Sequence, residues 1–456
     1  MADKGGSVHW EEILDQELAE LIERGYIAQE ASSGRVVATL APTDGKPGEE
    51  DRSISAAQFR EEVFDSIREG RGLPLDIYDE SGALLLRAGS RITKQFLQLL
   101  RERGITRVRL RSPQPHYPTD TVTPDGLHTA QSRALDGRLA GELRKPVAFR
   151  PVKAWRRPRL SVDDLKRRAR EGVERHVATS AAVADLCDTL EPGRRTSTDE
   201  LQRSVTHFVD MAAVDFDLLP LIVAMQHSKD EYLYDHCVNV SLLSMAIASH
   251  LGLDRERIIE IGLGGMLHDI GMLRVPLSVR LSRTGLADRE WQEIHRHPLH
   301  TLDMLADLRG IPQTVKFIGY QAHERIDGKG YPRSRSGRQL QEYAKIVSIA
   351  DVYAAMTHER PYRPPMSPYV AAATILNEGA ADKFDRVLVR AFLDTLSLFP
   401  IGSRVGLSDG SMARVLRANP DLHTRPVVEE LTVDGCPIGH VIDLSRDDAP
   451  CVIKAT

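Results

Sequence analysis

Between Ser161 and about Leu398 apolar residues return every three or four positions and strict alternation nearly vanishes, which predicts one long run of packed helices. Ser161, three residues ahead of Asp164, supplies a helix-start signal at the beginning of that run. On either side the pattern changes. Residues 10 to 30 read as helical and stop before TDGKPGEEDRS (43 to 53), a cluster of glycine, proline and charge. PLDIYDESGALLLRAG then has two short apolar runs around Glu80, Ser81 and Gly82, followed by a helical ITKQFLQLLRERG and a strand-like TRVRL. Past Leu398, PIGSRVGLSDGSMARVL and RPVVEELTVDGCPIGHVIDL alternate around Asp409-Gly410 and Asp434-Gly435, as short antiparallel hairpins do. The predicted fold is mainly α: an N-terminal helix and flexible segment (1–52), a small α/β module (53–112), a linker (113–158), a helical domain (159–398) and a small antiparallel β appendage (399–456).

Composition narrows the function classes. At 456 residues the chain exceeds what one hydrophobic core usually supports. Its 41% apolar and 27% charged residues are ordinary for a globular protein, and a net charge of −5 leaves no basic footprint for DNA or RNA. The basic stretch RKPVAFRPVKAWRRPRL reads as a solvated linker rather than a nucleotide-binding arm. No apolar run approaches the roughly 18 residues of a membrane span, and MADKGGSVHWEEILDQELAE lacks a signal-like core. A cytoplasmic chain without membrane insertion is expected. Cys187, Cys237, Cys436 and Cys451 form no CxxC pair and read as reduced packing residues.

Polar residues then appear where a core should be. His236 shares a helix face with Val240, Leu243 and Ile247, so its imidazole is expected to point inward. Asp351 follows Val347 by four and precedes Ala354 by three, a carboxylate inside an apolar stripe, and GGMLHDIGMLRVP places His268 beside Asp269 at the end of another. Each alone is most simply a hydrogen-bonded core histidine or a paired acid. Together they bring imidazoles and carboxylates from three predicted helices into one domain, a ligand set for a divalent transition metal.

The stretches EYLYDHCVNVS, GLGGMLHDIGMLRVP, HRHPLH, HERIDGKGYP, IVSIADVYAAMTHERPYRPPMSP and KFDRVLV make residues 230 to 400 resemble the HD-GYP domain. This is a bacterial subgroup of the HD phosphohydrolases that hydrolyses cyclic di-GMP. The resemblance implies a helical fold and a phosphodiesterase yielding linear pGpG or GMP through a metal-bridged hydroxide. His236, His268, Asp269, His297, His323 and Asp351 fall on the family's metal ligands, with Asp269 as bridge and His268 and Asp269 as the catalytic pair. Two divalent ions, iron or manganese, or a single one, are the implied cofactors. Lys329, Gly330, Tyr331, Pro332, Arg360 and Arg363 fall on substrate-binding positions, with Tyr331 near a guanine and the arginines on guanine or phosphate. A homodimer or a signalling-protein partner is the expected assembly.

Three positions depart from the family pattern. Met272 stands where a lysine is usual, Ala322 where the first of two adjacent histidines is usual, and Tyr232 where trinuclear members carry a glutamate. Two readings follow, a working phosphodiesterase and a weakened module that acts as a cyclic di-GMP receptor or interaction domain. A third changes only the substrate, to a hybrid cyclic dinucleotide or another phosphoester.

Overall fold

The helical run begins at its capping serine. Ser161 Oγ accepts the Asp164 backbone N–H at 3.1 Å and donates to the Asp164 carboxylate at 2.8 Å, satisfying one of the orphan donors of a helix start. The computed structural model describes residues 27–29, 36–38, 60–63, 76–78, 84–86, 107–111, 134–136, 138–139, 147, 149–152, 159–190, 196–225, 232–282, 286–358, 365–419 and 422–455. Among these, the helices of the large domain are α1 (Val162–Asp188), α2 (Asp199–Val214), α3 (Leu218–Ala224), α4 (Tyr232–His250), α5 (Arg255–Leu267) and α6 (Leu277–Arg280). They continue as α7 (Asp288–His295), α8 (His297–Ala306), α9 (Gln313–Gln321), α10 (Glu342–Thr357), α11 (Pro368–Ala380) and α12 (Arg386–Leu396). Side-chain caps recur: Asp254 at α5, Ser367 at α11 and Asp385 at α12 each accept a backbone N–H of the first turn.

Helix α4 is the axis of the domain. Every residue from His236 to Leu251 is buried, so this helix is apolar nearly all round and is covered on all sides. Helices α1, α2, α3, α5, α10 and α12 pack against it. The approach of α5 is close because Gly265 has no side chain: a Cβ there would lie 2.9 Å from the Ser241 Cα. Ser241 Oγ donates to the Gly262 carbonyl at 2.7 Å across the same contact.

The C-terminal strands β7 (Arg404–Leu407), β8 (Met412–Arg417), β9 (Val427–Leu431), β10 (Pro437–Asp443) and β11 (Val452–Ala455) form one antiparallel sheet, ordered β10-β9-β8-β7-β11. Gly410 (φ +88°) and Gly435 (φ +79°) make the two turns at Asp-Gly, as the sequence pattern predicts. The sheet is keyed into the helices. Arg417 Nη1 donates to Asp215 at 2.8 Å and Asp217 at 3.1 Å, its Nη2 donates to the Leu160 carbonyl at 2.6 Å, and all three charged groups are buried. Asp394 of α12 is held by His250 at 3.1 Å, Arg390 at 3.1 Å and, from the β8–β9 connection, His423 at 3.4 Å.

Toward the amino terminus, Arg60–Val63 (β3), Asp76–Tyr78 (β4), Leu84–Leu86 (β5) and Arg107–Arg111 (β6) form an antiparallel sheet in the order β3-β6-β4-β5. The predicted helices at 10–26 and around 92–104 lie outside the described residues. Two expectations are corrected here. Ile27–Gln29 (β1) is a strand paired with Val36–Ala38 (β2), not the end of a helix. It pairs with a segment further along the chain, which helical periodicity does not register. The segment 113–158 is not simply a solvated linker. Leu135 and Leu139, four residues apart, are buried against Leu299, Leu302, Phe317 and Tyr320, and the Arg150 and Val152 N–H groups bond to the end of α4.

Candidate metal centre

Five parts of the fold supply the centre. His236 comes from the start of α4 and Asp351 from the middle of α10. His268 caps α5 and Asp269 leads into a 3-10 turn over Ile270–Arg274. His297 opens α8, and His323 stands just beyond α9. The turn after His268 must lie against α8. A Cβ on Gly271 would fall 2.1 Å from the His297 carbonyl oxygen and 2.4 Å from the Thr301 nitrogen, so only glycine fits. Thr301, fully buried, ties the turn down: its hydroxyl accepts the Gly271 N–H at 3.0 Å and donates to the His268 carbonyl at 3.0 Å.

All six expected residues meet in one buried place. His236 Nε2 lies 3.1 Å from Asp351 Oδ1 and 3.9 Å from Asp269 Oδ2. His268 Nε2 lies 3.5 Å from Asp269 Oδ1 and 3.8 Å from Asp351 Oδ1. His297 Nε2 and His323 Nε2 each stand 3.0 Å from Asp269 Oδ1, and His323 Nδ1 is 3.3 Å from Asp351 Oδ2. Asp269 thus turns its two oxygens to different imidazoles, the disposition a bridging carboxylate needs.

Burial opposes ionisation of both acids, but the histidines outweigh it. His268 and His297 with His323 hold Asp269 well below the usual carboxylate range, and His236, His268 and His323 do the same for Asp351. Burial likewise pushes His323 down, yet Asp269 and Asp351 raise it to about 9. His268 is raised by the same two carboxylates against its burial.

The donor set fits divalent metal. His268 Nδ1 faces the Gly265 carbonyl at 2.8 Å and His297 Nδ1 the Ile294 carbonyl at 2.7 Å. A carbonyl only accepts, so both Nδ1 atoms carry a proton, and in the neutral form each ring would present an Nε2 lone pair. Those Nε2 atoms are buried without a hydrogen-bond partner; that of His297 is close to Asp269 but not aligned with it. A lone pair facing a carboxylate needs a positive charge between them, either a proton or a metal ion. His236, His268 and Asp351, and again His268, Asp269 and His323, bring their ligand atoms within 4.8 Å of one another. Such nitrogen and oxygen sets suit first-row divalent ions.

The loop after His323 closes one side. Gly330 lies against the chain's own backbone, where a Cβ would be 2.4 Å from the Arg325 nitrogen and 2.5 Å from the His323 carbonyl oxygen. Tyr331 stacks on His323 with ring centroids 5.0 Å apart and on His295 at 4.3 Å. Pro332 is buried and Lys329 exposed. Arg360 and Arg363 lie outside the described residues, as does the side chain of Tyr232. Met272 packs in an apolar cluster with Leu233, Val275 and Val279, and Ala322 is fully enclosed in the main core.

Sequence reasoning missed several supporting residues. Thr301 carries no signal beyond its type. Glu324 is buried, and burial pushes its carboxyl up to about 7; it accepts the Arg333 N–H at 2.7 Å and the Arg335 N–H at 2.9 Å, folding the loop back. Asn239, one turn after His236, bonds to His176 at 2.8 Å and His358 at 3.1 Å. The spacing of Glu324 beside a ligand and of Asn239 on the His236 helix were the available clues.

Residues 198–388 match the family model described as HD domain. A cyclic di-GMP phosphodiesterase of Pseudomonas aeruginosa is 35% identical over 189 residues, 41% of this chain and 45% of that protein. A cyclic di-GMP phosphodiesterase of Borreliella burgdorferi is 23% identical over 190 residues, covering 41% and 50% of the two chains. The 3′3′-cGAMP-specific phosphodiesterase 1 of Vibrio cholerae is 33% identical over 147 residues, covering 32% and 34%. The chain therefore spans half or less of the length of these relatives. No helix among the described residues is long and apolar enough to cross a membrane. The matched stretch encloses the histidines, the aspartates and the Gly-Tyr-Pro loop of the centre, and over it the chain is similar to the HD-domain model and to these phosphodiesterases.

Proposed function

We propose that the chain is a metal-dependent phosphodiesterase that opens cyclic di-GMP to linear pGpG, with GMP after a second cleavage, in a cytoplasmic setting. One observation carries this reading: four imidazoles and two carboxylates from separate elements converge with their polar atoms 3.0 to 3.9 Å apart. His236, His268, His297, His323, Asp269 and Asp351 would hold two divalent ions, iron or manganese. Ions so held supply Lewis acidity toward phosphate oxygens and an activated water at neutral pH. The protein's own part is orientation. The Gly265 and Ile294 carbonyls fix the tautomers of His268 and His297, and Thr301 holds the His268–Gly271 turn. Lys329 stands exposed next to Gly330 at the loop and offers a positive charge for an incoming phosphate. Arg360 and Arg363 are the proposed guanine or phosphate contacts. The relatives named as cyclic di-GMP phosphodiesterases support the substrate class.

A second reading is favoured by Met272 and Ala322. One lies in an apolar cluster and the other in the core, so neither position supplies a cation or a further ligand. In that reading the site binds cyclic di-GMP with negligible turnover. The test is to load the purified protein with manganese or iron, count metal per chain and follow cyclic di-GMP and 3′3′-cGAMP by chromatography. Two ions with turnover that is lost in His268→Ala support hydrolysis. Binding without turnover, unchanged in His268→Ala, refutes it in favour of the receptor.

A further inference from the structure

The imidazoles of the centre are not all held in the same way. His268 and His297 each anchor Nδ1 on a backbone carbonyl of their own turn, at 2.8 and 2.7 Å. That second bond is the usual means of fixing a ligand ring. His323 has no such anchor. Its Nε2 faces Asp269 and its Nδ1 faces Asp351, and among the described residues neither ring nitrogen meets a backbone carbonyl. The side-chain torsion that sets an imidazole plane is broad and intrinsically soft, so with only the two carboxylates at its edge, themselves candidate ligands, the ring gains its further support from contacts on its faces.

Those contacts are aromatic. The Tyr331 ring lies nearly parallel to His323, at 5.0 Å between centroids and 6° between planes. His295, at the end of α7, stacks on Tyr331 at 4.3 Å and 20°, and His297 meets the same ring edge-on at 5.8 Å and 82°. Stacked and edge-on pairs at these separations are attractive beyond the area they bury. The loop that carries Tyr331 is itself fastened, because Glu324 accepts the Arg333 and Arg335 N–H groups and the Tyr331 N–H donates to the His323 carbonyl at 3.1 Å.

We infer that Tyr331 and His295 are positioning residues for the metal centre: a two-ring stack that fixes the plane of the His323 imidazole, in place of the carbonyl anchor used by His268 and His297. Tyr331 then acts through His323 rather than as a platform for a guanine base. His295 belongs to this device and to no other part of the site described above. The inference takes the metal centre of the proposed function as given and is independent of which phosphodiester is cleaved.

The test counts metal before it measures turnover. The metal-free full-length chain is titrated with manganese to obtain the affinity and number of ions, and with cobalt(II) to record the visible band that reports ligand geometry. Variants are His295→Ala, His295→Phe, Tyr331→Ala and Tyr331→Phe, each checked for an unchanged melting temperature. His295→Ala and Tyr331→Ala are expected to weaken one ion by about 10–100-fold, the range typical of losing a ligand's supporting partner, and to shift the cobalt band. His295→Phe and Tyr331→Phe keep a stacking ring and are expected to retain wild-type affinity and spectrum. With cyclic di-GMP, the alanine losses should then appear in kcat at fixed metal and not in KM. Wild-type metal affinity in Tyr331→Ala with a raised KM would make the ring a base platform and overturn the inference. So would a His295→Phe variant as poor as His295→Ala, which would show that stacking is not what His295 contributes. Should the wild-type chain bind no metal at all, the proposed centre fails first, an outcome distinct from equal metal binding in wild type and variants.

Discussion

Replacing Thr301 with valine isolates the bond pair that seats the His268–Gly271 turn. The side chain is fully buried, and valine keeps its shape, so loss of apolar burial and creation of a cavity are both small. What is lost is one hydroxyl that serves two buried backbone groups, the Gly271 N–H and the His268 carbonyl, each at 3.0 Å. A buried polar group left without its partner costs about 1–3 kcal/mol, so the two together should cost about 2–6 kcal/mol, with relaxation favouring the lower half of that range. The measurement is urea unfolding of the metal-free chain followed by circular dichroism. With slopes of about 1–3 kcal/mol per M, the midpoint of the helical transition should fall by roughly 1 M or more. Thr301→Ser is the control: it keeps both bonds and gives up only the methyl that packs on Gly319, so it should cost about 1 kcal/mol. A valine variant within about 0.5 kcal/mol of wild type, or a serine variant as unstable as the valine, would refute the account.

Three other expectations follow from the same geometry. Asp269→Asn keeps the shape but removes the charge shared among four imidazoles, so metal per chain should fall below two, with a loss of affinity beyond the roughly 10–100-fold of a supporting residue; elemental analysis after gel filtration checks it. In the metal-free chain burial lowers His323, but Asp269 and Asp351 raise it above its ordinary 6.5 to about 9. Its contribution to stability is therefore complete below pH 6.5 and lost as the pH rises through 9. The metal-free melting temperature should fall across that window, and a flat profile there would contradict the assignment. Arg417→Met leaves Asp215 and Asp217 buried without their cation and should cost about 3–5 kcal/mol, with much of the loss recovered when both acids are also made asparagine; thermal unfolding of the three proteins decides it.

The departures at Met272 and Ala322 acquire a physical setting in the fold. Met272 is 9% exposed among Leu233, Val275 and Val279. A lysine there would need to carry its ammonium out of that cluster, whereas the flexible thioether fills it. Ala322 caps α9 with its methyl inside the core, where a larger imidazole would have to displace neighbours. Both substitutions therefore suit their local packing, and the six convergent side chains are the chemistry that remains.

What was legible in the chain were features with a local physical signature. The capping of α1 by Ser161, the Asp-Gly hairpins of the C-terminal sheet and the inward face of His236 follow from short-range rules of hydrogen bonding and periodicity. Four of the candidate ligands, His236, His268, Asp269 and Asp351, were legible because polar and charged groups on apolar stripes are costly unless something pairs them, whereas His297 and His323 came only from the family resemblance. The tertiary structure alone decided how they are paired. It set the two oxygens of Asp269 against different histidines and gave His268 and His297 carbonyl anchors while giving His323 a stack of rings. It also docked Leu135 and Leu139, in a stretch that reads as linker, onto α8 and α9, and locked the β appendage to the helices through Arg417. Each of these depends on contacts between residues far apart in the chain. Periodicity reports only which side of its own element a residue faces, and says nothing of what stands opposite.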